Sequence, residues 1–243
     1  MIEIRQLRQF EEFAEAVRLQ QAIWGFADIE MLPMRAFVVS RNVGGQLFGA
    51  YDEGEMVAFL IAVPGIKPGP RAYLHSHMLG VLPAYRDAGI GRWLKLQQRE
   101  EALERGIELI EWTFDPLELK NAFFNIERLG AIVRRYSENQ YGVTDSPLHG
   151  GLPTDRCIAE WWIDSPRVRA MLAGERVARR VEDEERIVYP ADMARIRSEE
   201  PVHAREIQRS NGEQFQRAFE RGLAATGFER RETEGIYLLE PWA

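Results

Sequence analysis

Residues 46–51 and 56–63 are apolar runs separated only by Asp52-Glu53-Gly54-Glu55. Strand-forming runs joined by so short a polar turn fold back on each other as an antiparallel hairpin. The stretch 64–70, with Pro64, Gly65, Pro68, Gly69 and Pro70, reads as a loop. Residues 71–81 carry apolar groups on both faces and read as a central strand. With 1–7 as a first strand and 8–24 as an amphipathic helix (Phe10, Phe13, Ala14, Val17, Trp24), this half is a meander with one helix on it. Residues 25–35 read as a loop, and Gly44-Gly45 as a break.

Beyond residue 83 the periodicity changes. A turn over 83–89 leads into a helix over 90–105 that stops before Gly106. A strand (107–114), a helix ending at Gly130 (117–129) and a strand (131–136) follow. A meander that passes into β-α-β-α-β is a mixed α/β sheet, α+β in character. The chain divides loosely at 145–153, giving a core over 1–145 and a C-terminal α+β extension over 146–243, expected to pack on the core and shape the acceptor site. The extension reads as a strand (156–163), an Arg/Glu-rich helix (165–181), a short strand (186–189), helical segments (192–222) and a closing hairpin (225–231 and 235–239). The acidic run 182–185 reads as a solvated loop.

Composition excludes several classes. A net charge of −7 over 243 residues argues against a nucleic-acid binder. The lone Cys157 makes no internal disulfide, and a reducing cytoplasm is expected. The longest apolar run, 56–63, is too short to span a membrane, and residues 1–8 do not resemble a signal peptide. The basic residues are 28 Arg and only Lys67, Lys95 and Lys120; codon bias accounts for this, and no function is read from it.

The stretch Arg86-Asp87-Ala88-Gly89-Ile90-Gly91-Arg92 carries the chemistry. It lies between a strand and a helix N-terminus. Glycines there let the backbone approach a ligand, and first-turn N–H groups with no intrahelical acceptor make an anion site. Arg86, Arg92 and Lys95 add local positive charge. The competing reading is a plain strand–turn–helix connection. A dinucleotide fingerprint fails because position 94 is Leu, and a P-loop fails because Gly91 is followed by Arg92-Trp93.

The run from Leu79-Gly80-Val81-Leu82-Pro83 through Arg86-Asp87-Ala88-Gly89-Ile90-Gly91 resembles the signature of the GNAT superfamily of acyl-CoA-dependent N-acyltransferases. The likeness covers roughly residues 1–142. Ser76-His77-Met78, Trp112-Thr113-Phe114-Asp115-Pro116, Asn121-Ala122 and Gly151-Leu152-Pro153-Thr154-Asp155-Arg156 resemble a bacterial branch of it. The resemblance implies that backbone N–H groups of Arg86, Asp87, Ala88, Gly89, Ile90, Gly91 and Arg92 hold the pyrophosphate of coenzyme A. It implies that Leu79, Gly80 and Val81 pair with the pantetheine arm, and that an N–H at Gly80 or Val81 polarises the thioester carbonyl. It implies further that Asn121 and Asn125 contact the pantetheine or thioester side, with helix capping or a solvated face as the alternative.

Direct transfer of an acyl group to an amine needs a base and an acid. His75 and His77, two apart on a strand, share a face by alternation, and Leu79 and Val81 are expected on that same face. The pair is similar to that of the arylalkylamine N-acetyltransferases, which implies a water-relayed base; two core histidines are the alternative. Glu111 is a second base candidate, with exposure on a strand face as the competing role. The Tyr that the family places four residues before the helix-closing glycine is here Ile126, so the acid falls to Tyr141 or Tyr136, or to solvent. Trp24, Trp161 and Trp162 are candidates for an acceptor pocket or for core packing. His75, His77, His149 and Cys157 are too scattered to predict a zinc site, and no metal is expected.

The resemblance thus implies an N-acyltransferase that moves an acetyl or other small acyl group from acetyl-CoA to a small-molecule amine in a ternary complex. The alternative is a CoA-binding regulatory module without turnover. No nucleic-acid or membrane partner is expected; a homodimer stays open.

Overall fold

The computed structural model describes residues 1–67, 71–142, 150–175, 177 and 184–242. They form two compact units, Met1–Glu111 and Trp112–Ala243.

The first unit contains β1 (Glu3–Gln6), α1 (Phe10–Trp24), α2 (Met34–Asn42), β2 (Gln46–Asp52), β3 (Glu55–Ile66), β4 (Ala72–Val81) and α3 (Ile90–Glu104), and enters β5 (Leu109–Phe114). Strands β1 to β4 pair antiparallel in chain order, and β4 pairs with β5 in parallel, so the sheet is mixed as expected. The hairpin turn falls at Glu53 and Gly54, both at positive φ. At the N-terminus of α1, the Gln9 side chain and the Glu12 carboxylate form a reciprocal capping box. Phe13, Leu19 and Ile23 of α1 bury against Phe59 and Ile61 of β3 and Phe37 of α2. Phe13 stacks on Phe37, and the Trp24 ring meets Phe59 edge-on.

Two features of this unit depart from the sequence expectation. Helix α2 is unforeseen, because only Phe37 and Ser40 of its nine residues are buried, too few to reveal a helical period. The loop expected over 64–70 does not begin at Pro64, since β3 continues through Pro64 and Gly65 to Ile66, and 68–70 lie outside the described residues. Its pairing with β2 ends at Gln46–Ala62, so Pro64 needs no N–H on that side and pairs with Leu74 of β4 alone. At Gly65 a Cβ would lie 2.5 Å from the Tyr73 ring, so only glycine lets that ring cross the strand.

The second unit contains α4 (Leu119–Phe123), β6 (Ile132–Ser137), β7 (Arg156–Trp162), α5 (Pro166–Leu172), β8 (Glu185–Pro190), α6 (Met193–Glu199), α7 (Pro201–Glu220), β9 (Leu223–Arg230) and β10 (Glu234–Pro241). Its strands run in the order β7-β6-β9-β10-β8, each described pair antiparallel. Tyr237 centres the core, with Phe228, Phe215 and Tyr189 edge-on to it at 4.8, 5.0 and 5.7 Å. The helix expected over 117–129 is a single α turn followed by a π-helical stretch, Phe124–Arg128, closed by the Leu129 N–H to Phe124 O bond. The helix expected over 165–181 stops at Leu172, ahead of Gly174 at φ +82°. Residues 143–149 of the expected division, and 176 and 178–183, lie outside the described residues. Among the described residues, no helix is long and apolar enough to cross a membrane.

Phe59 is fully buried and joins α1 and α2 to the sheet. Phe59→Ala should cost about 3–5 kcal/mol in urea unfolding; a loss below 1 kcal/mol would show that this contact does not hold the helices.

Candidate active site

At the end of β4 the chain makes a short 3₁₀ turn, Pro83–Tyr85, and reaches Asp87 and Gly89, both at positive φ. Gly89 is the N-cap of α3 and has no side chain to accept from the first-turn N–H groups of Ile90, Gly91 and Arg92. No acidic residue stands in that turn. The donors and the positive end of the helix dipole therefore face outward from an exposed loop, which fits a pyrophosphate. Arg86 does not extend into this cradle in the structure. Its guanidinium bonds back to Val81 O (3.4 Å) and Ile23 O (3.3 Å), fastening the loop to β4.

Lys95 corrects the expectation that it adds charge at the loop. It is buried under β4, where its ammonium donates to Ser76 Oγ (2.8 Å) and Gln98 Oε1 (3.1 Å), and burial drives its pKa well down. Gln98 in turn bonds Gln46 of β2 at 3.0 Å, so a buried polar chain ties α3 to the sheet.

The pairing of β3 with β4 slips between Ile61 and Ala62: Ile61 faces Met78 while Ala62 faces Ser76, so His77 is the extra residue of a β-bulge. The bulge inverts the alternation of side chains. Before it, Ser76 points at α3, where it meets Lys95. After it, Leu79 and Val81 point at α3, where both lie within 4 Å of a Cβ built on Gly91. Met78 and Gly80 turn to the other face, against Ile23 and Trp24 of α1. His75 and His77 thus share a face with Met78 and Gly80, not with Leu79 and Val81 as expected. The two imidazoles do lie together, with ring centres 6.0 Å apart.

Leu82 N–H donates to Val57 O of β3 at 2.9 Å. Backbone groups alternate sides along a strand, so Gly80 N–H points toward β3 and Val81 N–H points away from it. Of the two N–H groups open as carbonyl donors, Val81 is the one directed outward.

Glu111 is the register partner of His75, and its side chain therefore emerges on the same face. It is buried, not exposed, and makes an ion pair with Lys67. Burial, then the charges of His77 and Lys95, lower the His75 pKa to about 4 against the pull of Glu111. The exposed His77 is dehydrated enough for its pKa to fall as well. Both rings are neutral proton acceptors near pH 7. The sequence offered no spacing signal for Lys67, Tyr73 or Ser76, and the scarcity of lysine beside 28 arginines was read as codon bias alone.

In the second unit, Asn121 is exposed and Asn125 buried; neither caps α4, whose N-cap is Glu118. Ile126 is fully buried. The two downstream phenols separate clearly. Tyr136 stacks on Phe215, donates to Asp155 (2.6 Å) and has its pKa pushed up by burial, which makes it structural. Tyr141 is exposed, with its hydroxyl 2.9 Å from Thr113 Oγ1. Trp161 is core, its indole N–H donating to Leu129 O at 2.7 Å, while Trp162 lines a cleft of about 270 Å³ with Glu160, Arg134 and Trp242. Trp24 packs on Phe26 and Phe59 in the first unit. Cys157 is buried, and burial raises its thiol pKa. Among the described residues no cluster could hold a metal, and His149 lies outside them.

Residues 5–130, just over half the chain, match the acetyltransferase (GNAT) family, and the chain belongs to it. The fold agrees. The ribosomal-protein-S18-alanine N-acetyltransferase of Escherichia coli superposes with a TM-score of 0.55 at 20% identity, over 68% of this chain and 96% of that one. An aminoglycoside 6'-acetyltransferase type Ii superposes at 0.52 and 19% identity, over 67% and 98%. Naa50 of Arabidopsis thaliana, in complex with a bisubstrate analogue, does so at 0.52 and 14%, over 65% and 97%. No curated protein matches the sequence significantly. The protein is an acetyltransferase with the mixed α/β fold of this family.

His75 binds its proton less readily folded than unfolded, so it opposes folding increasingly as pH falls from 6.5 toward about 4. Urea unfolding of His75→Gln should lose less stability over that window than the parent chain; parallel losses would remove His75 from the titration.

Proposed function

We propose that the protein transfers the acetyl group of acetyl-CoA directly to the amine of a small molecule in a ternary complex. The observation that carries this reading is the meeting, in one unit, of an anion cradle at the α3 N-terminus with two neutral imidazoles and a buried carboxylate on β4 and β5. Acetyl-CoA supplies an activated acetyl thioester. The N–H groups of Ile90, Gly91 and Arg92 bind its pyrophosphate, and the outward edge of β4 at Leu79, Gly80 and Val81 lies along the pantetheine arm. Val81 N–H is the donor we assign to the carbonyl that must accumulate negative charge. His77 takes the proton from the acceptor nitrogen, with His75 behind it as relay. Tyr141 is kept as the proton donor to the departing sulfur, and Asn121 and Asn125 as further cofactor contacts.

A small acceptor is preferred because Glu111 is recessed in the sheet. The acidity of the chain favours a cationic amine by long-range attraction. Related folds include acetyltransferases of a ribosomal protein and of an aminoglycoside, so protein and small-molecule amines both belong in the test. We assign the acyl-CoA core to residues 1–145 and selection of the acceptor body to 146–243, and we place the protein in the cytoplasm.

Release of free thiol from acetyl-CoA, followed across a panel of small amines and peptide N-termini, tests the reading. Turnover with peptides alone would overturn the small acceptor; CoA binding with no turnover on any amine would overturn transfer.

Gly89→Val forces a β-branched residue into the left-handed region at the cradle. It should weaken CoA binding by calorimetry at least about tenfold; unchanged affinity would remove the cradle. His77→Ala should lower kcat roughly 10²-fold or more and abolish the acid limb of the pH–rate profile, with CoA affinity intact. An unaltered profile would take His77 out of the mechanism.

A further inference from the structure

We infer that the Glu111 carboxylate and the face of the Tyr73 ring form a subsite for a primary ammonium group, held in the free protein by Lys67 and taken over by the acceptor amine. The word acceptor rests on the acyl-transfer reading above; the ammonium subsite stands on its own geometry.

Tyr73, His75 and His77 alternate onto one face of β4, and Glu111, in register with His75, emerges on that face. The Glu111 side chain is 4% exposed and that of Lys67 is 35% exposed. A carboxylate so far out of water needs a cation, and this one is reached by an ammonium that comes in from solvent. The same ammonium lies 5.1 Å from the centre of the Tyr73 ring, a cation–π contact. Anion, ring face and neutral imidazole together make a receptor for R–NH₃⁺ with a proton acceptor at hand.

Lys67 immediately follows the last residue of β3, on a four-carbon stem that can withdraw without disturbing the strand. It is one of only three lysines beside 28 arginines. A guanidinium is planar and forked, whereas a lysine presents the same compact –NH₃⁺ as an alkylamine, so Lys67 is chemically a tethered copy of the acceptor. The subsite also excludes. An amine with a carboxylate on the adjacent carbon would set that charge against Glu111, so α-amino acids should be rejected in favour of simple primary alkylamines.

The test is direct binding without acetyl-CoA. n-Butylammonium chloride is titrated by calorimetry into the parent chain, Lys67→Ala and Lys67→Ala/Glu111→Gln, with n-butanol as the uncharged control and circular dichroism to establish folding. Removing the tethered competitor should tighten n-butylammonium binding about tenfold or more. The double variant should lose that gain, and butanol should bind none of the three. Should Lys67→Ala not fold, Lys67→Gln makes the same comparison. Equal binding by parent and Lys67 variant, binding that survives Glu111→Gln, or equal binding of butanol would each make Lys67–Glu111 a structural ion pair only. CoA calorimetry on the same samples separates the two readings. CoA binding without an alkylammonium gain sinks the subsite and leaves acyl transfer; the gain without CoA binding does the reverse.

Discussion

The first unit turns on a single extra residue. His77 has no partner on β3, and that bulge reverses which face each later side chain of β4 occupies. Without it, strict alternation would put the imidazoles and the apolar pair Leu79 and Val81 on one face, and one set would be misplaced. With it, Leu79 and Val81 reach the helix that carries the anion cradle, while the imidazoles turn to the face of Trp24 and Ile23. One strand thereby presents apolar groups to α3 and titratable ones to the opposite face. Bulges recur beside active sites because they re-aim side chains in this way.

The electrostatics follow from that division. The face of β4 toward α3 holds Lys95, Ser76, Gln98 and Gln46 in a buried chain, where an ammonium is satisfied by neutral acceptors and loses basicity. The opposite face holds Glu111 and two dehydrated imidazoles. Two lysines thus approach the same strand from its two faces: one binds a hydroxyl and an amide, the other a carboxylate. The cradle at Gly89 needs little side-chain charge, since backbone N–H groups and the helix dipole supply the positive potential. A chain of net charge −7 can therefore hold a polyphosphate locally.

Much of this was legible in order along the chain. The hairpin at Asp52–Glu55 was readable because so short a polar turn brings its two flanking strands side by side. The cradle was readable because Gly89 and Gly91 stand between a strand and a helix, and only their spacing is needed. The extent of β3 was not: Pro64 and Gly65 look like loop residues until β2 is known to have ended beside Ala62. The inverted face of β4 was not, because a bulge is a property of two strands. The π-helical turn at Phe124–Arg128 and the short α5 were likewise invisible to a periodicity that counts apolar positions alone.

The sequence by itself determined what is local: the meander, the glycine turn that opens α3, the two histidines on one strand, and through these the acetyltransferase family. Only the tertiary structure decided which way those histidines face, that Glu111 is buried beside them, and that Lys67, forty-four residues earlier in the chain, meets its carboxylate. The reason is physical. Local spacing sets backbone conformation, but register, burial and ion pairing belong to strands brought side by side, and no single strand carries them.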